Sequence, residues 1–291
     1  SSDVCSSDLG ADLTARAVGQ KLNEAWGQPV IVDNRPGAGG NLAAEIVAKS
    51  NPDGHTLLIT SPGPVAINPA LYAKLPYDPL RDLAPVTLIA MGPNALVVNP
   101  ASPATSAREL IAHARANPGR LNFASSGNGS IPHLSGELFR LAAGVQIVHV
   151  AYKSAAPAVL DIIAGRVDLM LVSIPSVLTQ IRAQRLRGLA VTSAKRSPVL
   201  PELPTLAEAA LPGYESTAWW GLFAPARTPP SAIASLHGLV ATSLAGNDMR
   251  DRLAADGTEA VGNSPAEFAA FLRRESDKWR RVVREANIVA H

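Results

Sequence analysis

Serine, glycine and a histidine are concentrated between residues 121 and 136, where the chain reads Leu-Asn-Phe-Ala-Ser-Ser-Gly-Asn-Gly-Ser-Ile-Pro-His-Leu-Ser-Gly. An apolar run at Leu121, Phe123 and Ala124 gives way to small polar residues. Pro132 then opens a pattern that carries Leu134, Leu138, Leu141 and Ala142 at helical spacing. The expected structure is strand, glycine-rich turn, helix. The first N–H groups of a helix lack intrahelical partners and lie at the positive end of its dipole, so this turn is a seat for an anion. Gly127 and Gly129 let a ligand come close to the backbone. An ordinary strand-to-helix connection capped by Ser130 fits the same residues equally well.

Other chemistry is thinly represented. Catalysis needs a nucleophile, a base and an orienting group together, and the motifs that announce them (G-x-S-x-G, H-E-x-x-H, G-x-x-x-x-G-K-[ST]) do not occur. The six histidines, at positions 55, 113, 133, 149, 237 and 291, are scattered singly. His133 falls in the first turn of the helix after the glycine loop and is placed to face an anion, although a satisfied buried histidine is the more ordinary reading. Lys153 follows the apolar run Ile147–Val150 and would reach the same crevice; a solvated lysine is the more ordinary reading there. Trp219 and Trp220 alternate in an apolar strand, so at most one of them sees a ligand. The single Cys5 cannot form an internal disulfide and no Cys/His spacing suits zinc, so neither metal nor cofactor is expected.

The elements that hold these residues read as α/β. With 291 residues, 47% hydrophobic and 17% charged, the chain has enough apolar surface for two buried cores. A formal net charge of +2 with dispersed Lys and Arg argues against a nucleic-acid partner. No apolar run approaches the roughly 20 residues that span a bilayer, and no signal-peptide pattern is present. Residues 1–9 form a polar near-repeat with no strand or helix periodicity, and are expected to be a non-native or misread leader replacing the first strand. Asp12 is then placed to cap a helix that stops at Gly27. The Gly37, Gly39, Gly40 cluster lacks the third glycine of a dinucleotide fingerprint, having Leu42 there, and nucleotide binding is not expected.

After the strand Thr56–Thr60 comes the loop Thr60-Ser-Pro-Gly-Pro64, then a proline-rich connection into two apolar strands, Val86–Ala90 and Ala95–Asn99. From Leu121 to Thr192 strands and helices alternate, which implies a parallel sheet covered by helices. Ser106/Glu109, Thr205/Glu208 and Ser264/Glu267 have capping-box spacing, and Pro265 sits at a first helical position. The C-terminal helices are expected to pack back on the N-terminal sheet.

A chain-long series of short matches resembles the Bug family of extracytoplasmic solute-binding proteins, the receptors of tripartite tricarboxylate transporters. The matching stretches include Gly10–Arg16, Trp26–Val30, Asn34–Asn41, Pro52–Gly54, Asn68–Tyr72, Leu75–Asp78, Asn122–Ser130, Gly188–Ser193, Pro212–Tyr214 and Trp219–Pro225. The resemblance implies a two-lobed periplasmic binding protein of the type II-like Venus flytrap class, each lobe a mainly parallel sheet flanked by helices. Residues 1–100 with 222–291 would form one lobe and 101–221 the other, with crossing strands near 95–103 and 215–224. It also implies a monomer that binds a small carboxylate and hands it to membrane subunits. The ligand residues it carries over are Ala11, Asp12, Thr60, Ser61 and Gly63 from one lobe. The other lobe adds Ser125, Ser126, Gly127, Asn128, Ser130, His133, Lys153 and Ser173.

Three departures bear on that site. The polar leader replaces the family's first strand and its glycine-rich loop. Ala151 and Ser154 flank Tyr152-Lys153 where family members usually have Pro and Gly. Val172-Ser173 stands where many members carry an acid that meets a ligand amine, which argues against an amino-acid ligand. An enzyme using His133 or Lys153 in the same cleft, or a sensing receptor, are the alternatives.

Overall fold

In a computed structural model of the chain, the described residues are 2–6, 9–35, 40–255 and 257–288. The chain opens with β1 (Ser2–Ser6), α1 (Leu9–Trp26), β2 (Val30–Asn34), α2 (Asn41–Ala48) and β3 (Thr56–Thr60). A π-helical turn (Gly63–Ile67) runs into the short helices α3 (Asn68–Leu71) and α4 (Pro79–Asp82), then into the long strand β4 (Leu83–Val98). The middle of the chain alternates: α5 (Ala107–Ala116), β5 (Asn122–Ser125), α6 (Ile131–Ala143), β6 (Val148–Ala151), α7 (Ala155–Ile163), β7 (Leu169–Ser173), α8 (Ile174–Arg182), β8 (Arg187–Val191) and α9 (Leu206–Ala209). It closes with β9 (Thr217–Pro225), α10 (Pro230–Ala245), α11 (Asn247–Ala255), β10 (Glu259–Ala260) and α12 (Pro265–Glu285).

Strand order is β2-β1-β3-β9-β4-β7-β5-β6, with β8 and β10 also pairing β4. At one end β1 is parallel to both β2 and β3; at the other, β5 is parallel to both β6 and β7. Antiparallel β9 and β4 join the two groups. The architecture is therefore two-lobed α/β, with helices over each parallel group.

Two expectations need correcting here. Ser2–Ser6 forms a strand despite its polar composition, because parallel neighbours on both sides satisfy its backbone and the buried Val4 supplies an apolar contact. The two strands expected at Val86–Ala90 and Ala95–Asn99 are one strand of 16 residues. Pro85 and Pro93 break the apolar pattern but not the extended backbone; Pro85 sits at a register shift against β9, and Pro93 is the last β4 residue paired with β9.

The capping signals largely hold. Thr205/Glu208 and Ser264/Glu267 close complete capping boxes, and Pro265 opens α12. At α5 the Ser106 hydroxyl accepts the Glu109 N–H, but the Glu109 carboxylate reaches back to Thr105, one residue earlier than a box requires. Asp12 does not cap α1, which begins at Leu9; its carboxylate accepts from Arg16 Nε at 3.0 Å and Asn34 Nδ2 at 2.9 Å.

Aromatic residues of α12 and β9 form one core with the segment after β3. Trp219, Phe223, Phe268 and Trp279 pack with Val65, Ile67 and Leu71. Ile131 and Leu134 of α6 belong to the same cluster, so the start of α6 is seated against the π-helical turn and α3.

Candidate ligand-binding cleft

The loop between β5 and α6 is built by its own hydrogen bonds. Ser125 Oγ accepts from the Gly127 N–H at 3.1 Å, and Ser130 Oγ donates to the Gly127 carbonyl at 2.7 Å. Ser130 is the N-cap of α6 and accepts the His133 N–H at 3.4 Å. Gly127 and Gly129 have φ of +117° and +78°, the left-handed region that glycine enters without strain. These bonds occupy Ser125 and Ser130. The side chains of Ser126 and Asn128 have no hydrogen-bond partner among the described residues, with Ser126 half-buried and Asn128 exposed.

His133 does not present a charge to an anion. Its ring is buried, its Nδ1 accepts the Gly129 N–H at 3.2 Å, and it stacks on His149 of β6 with centroids 4.0 Å apart and planes 14° apart. Burial, and then the neighbouring His149, pull its pKa down to about 3; burial takes His149 to about 4. Both rings are neutral at pH 7. His149 Nε2 lies 2.6 Å from Ser125 Oγ and its ring also stacks on Phe123. Serine and histidine are thus within nucleophile–base distance, but Ser125 is fully buried and its hydroxyl is bound into the loop. Sequence reasoning missed His149; its only signal is a histidine inside an apolar strand.

The loop after β6 adjoins this turn. The Tyr152 N–H donates to the Ser125 carbonyl at 3.0 Å, and a Cβ on Gly127 would stand 3.4 Å from the Tyr152 carbonyl. Lys153 follows, exposed and without an ion pair among the described residues. Ser154 precedes α7, and Ser173, at the tip of β7, precedes α8; neither side chain caps its helix. Ser173 Oγ instead meets Ser176 Oγ at 2.9 Å. The tips of β5, β6 and β7 therefore each lead into a helix N-terminus.

Other expected ligand residues lie at the end of β3 and just after it. Thr60 is fully buried and Ser61 half-buried. Gly63, expected in a loop, is inside the buried π-helical turn. Asn68, which follows, donates from Nδ2 to Asn41 Oδ1 at 2.6 Å, and Tyr77 Oη donates to the same oxygen at 2.9 Å. The Asn68 Oδ1 carbonyl has no partner among the described residues and stands against the bare Cα of Gly129. This contact brings the β3 and β5 sides of the cleft together. Ala11 and Asp12 lie in the first turn of α1. Trp219 and Trp220 are buried on opposite faces, Trp219 with α12 and Trp220 with α1 and α10. Among the described residues no group of His, Cys, Asp and Glu could hold a metal, and no helix is long and apolar enough to cross a membrane.

Residues 14–288 match the model of the tripartite tricarboxylate transporter family receptor. The chain belongs to that family. Three solved relatives superpose along almost all of it. The R. palustris protein Rpa4515 with adipate is 39% identical, with a TM-score of 0.93 over 99% of this chain and 97% of its own. MatC from Rhodopseudomonas palustris with bound malate is 31% identical, with a TM-score of 0.89 over 97% and 98%. The periplasmic binding protein BugD is 28% identical, with a TM-score of 0.90 over 100% and 98%. The receptor thus shares the periplasmic binding protein fold with its family.

Proposed function

We propose that the protein is a periplasmic receptor that captures a small carboxylate, a di- or tricarboxylate or another organic acid, for the membrane subunits of a tripartite tricarboxylate-type transporter. The observation that carries this reading is the glycine loop and the three helix N-termini at the strand tips, where the side chains of Ser126, Asn128 and Lys153 have no partner among the described residues. Helix N-termini and small donors suit a carboxylate. The adipate and malate in the two R. palustris relatives support the same class of ligand.

In this reading residues 1–100 with 222–291 form one lobe and 101–221 the other, and closure brings Thr60, Ser61 and Gly63 toward Ser125–Ser130. The exchange of β4 from β9 to β7 supports the division. Charge-assisted hydrogen bonds contribute roughly 1.5–3 kcal/mol each, so four or five of them, after the cost of capture, leave about micromolar affinity.

Calorimetry of the purified protein against di- and tricarboxylates, aromatic acids and amino acids tests the proposal. Saturable binding of a carboxylate without its turnover is expected. Turnover lost on His149→Ala would assign the cleft to catalysis instead.

A further inference from the structure

β4 changes partners at one residue. Pro93 is in register with Thr217 of β9, whereas Asn94 is in register with Ser173 of β7 and Ala95 with Val191 of β8. The backbone of Asn94 is well satisfied: its N–H donates to Thr192 Oγ1 at 2.8 Å and its carbonyl accepts the Thr192 N–H at 2.9 Å. Its side chain is not. Asn94 is 0% exposed, and neither Nδ2 nor Oδ1 has a hydrogen-bond partner among the described residues.

A buried amide with both ends open is unfavourable and uncommon. The polar groups around it are already spent. Thr192 Oγ1 is shared between the carbonyls of Asn94 and Ser216. Ser216 Oγ pairs with Ser135 Oγ at 2.5 Å, and Tyr214 Oη donates to the Ser135 carbonyl at 2.8 Å. No protein group among these is left for the amide.

Residues directly opposed in an antiparallel pair share a face, with Cβ atoms about 4.5–5.5 Å apart. Asn94 therefore lies beside Ser173, at the strand tip that feeds α8, whose first N–H groups have no side-chain cap. β4 exchanges its neighbours at this position, so a rotation of one parallel group against the other about β4 would uncover it.

We propose that Asn94 is a ligand-binding residue on the floor of the cleft, selecting a carboxylate that carries a hydroxyl on the adjacent carbon. Nδ2 donates to the carboxylate at the start of α8, and Oδ1 accepts from the hydroxyl. A carboxylate without the hydroxyl satisfies only the donor and leaves the carbonyl buried and unpaired. The inference rests on the carboxylate-receptor reading above.

Malate and succinate, which differ by that hydroxyl, are the probes, with adipate, citrate and tartrate as further carboxylates, titrated calorimetrically into the wild-type protein, Asn94→Leu and Asn94→Asp. The wild type is expected to favour malate over succinate at least tenfold. Asn94→Leu is expected to lose at least tenfold in malate affinity and to abolish the preference, with the unliganded melting temperature unchanged or raised. Asn94→Asp keeps the shape and places a negative charge against the carboxylate, so it is expected to weaken both ligands and covers the case in which the leucine variant does not fold. Unchanged malate affinity in a folded Asn94 variant, or equal wild-type affinity for malate and succinate, overturns the inference and leaves the receptor reading standing. A wild type that binds none of the five carboxylates overturns both.

Discussion

The side-chain carbonyl of Asn68 stands where a side chain on Gly129 would have to go. Asn68 cannot easily retreat, because its Nδ2 is held by Asn41 Oδ1 at 2.6 Å. Gly129 also needs φ of +78°, which costs an ordinary residue about 1–2 kcal/mol. Gly129→Ala is therefore expected to lower stability by about 2–4 kcal/mol, from backbone strain plus overpacking. In the double variant with Asn68→Ala the steric part is relieved and the strain remains. Urea unfolding of the four proteins should show a coupling of about 1–2 kcal/mol that favours the double variant; additive effects would refute the contact.

Within the glycine loop, two neighbouring serines should separate structure from binding. Ser130 caps α6, so Ser130→Ala is expected to cost about 1 kcal/mol of stability. The Ser126 side chain has no hydrogen-bond partner among the described residues, so Ser126→Ala should leave the unfolding midpoint alone and weaken carboxylate binding a few-fold. Gly127, at φ +117°, positions the backbone donors, and Gly127→Val is expected to abolish binding. Thermal melts and calorimetry on the same samples check all three; equal, small effects on affinity from Ser126→Ala and Gly127→Val would count against capture by the backbone.

The stacked histidines make stability depend on pH. Folded His133 stays neutral to about pH 3 and His149 to about pH 4, whereas an unfolded histidine protonates near pH 6.5. Below pH 6.5 the unfolded chain binds more protons, so stability falls as pH falls, and the fall stops once the folded rings protonate too. From pH 6.5 to 5 the buried His133 should account for about 2 kcal/mol, and the partly exposed His149 for less because solvent screens it. Carboxylates such as Asp82 and Asp161 are held below their usual range by Arg81 and Arg166, and weaken the fold only at lower pH. Urea unfolding at pH 7, 6 and 5 should show the loss in the wild type and a flatter profile in His133→Gln; matching profiles would refute the assignment.

What the sequence shows and what it hides divide along physical lines. Signals confined to neighbouring residues are legible: Ser264 with Glu267, Thr205 with Glu208, Pro132 after Ser130, and the alternation of apolar runs from Leu121 onward. Signals made by distant pairs are not. His133 reads as a ligand for an anion because its first-turn position is visible, while its ring stack on His149 comes from the adjacency of α6 and β6. Ser2–Ser6 reads as a leader because side-chain periodicity is the guide to strands, yet parallel pairing on both sides satisfies a backbone of almost any composition. Of the residues expected to bind, Ser125, Ser130 and His133 hydrogen-bond within the loop, and Asn68, among the matched stretches but not among those residues, stands against Gly129 of that loop.

Glu275 is a buried carboxylate shared by two tryptophans. It lies in the charged run Arg273-Arg-Glu-Ser-Asp-Lys278, yet it is only 6% exposed. Its Oε2 accepts the indole N–H of Trp219 from β9 and of Trp279 from α12, each at 3.0 Å, and Lys278 Nζ sits 2.6 Å from Oε1. One carboxylate thus ties a strand that joins the two lobes to the C-terminal helix. Glu275→Leu leaves two buried indole donors unpaired and is expected to cost about 3–5 kcal/mol. Glu275→Gln keeps an oxygen acceptor for both indoles and loses only the charge opposite Lys278, so it should cost roughly half as much. Urea unfolding followed by tryptophan fluorescence measures both variants; equal losses would show that the charge, and not the shared acceptor, holds the two indoles together.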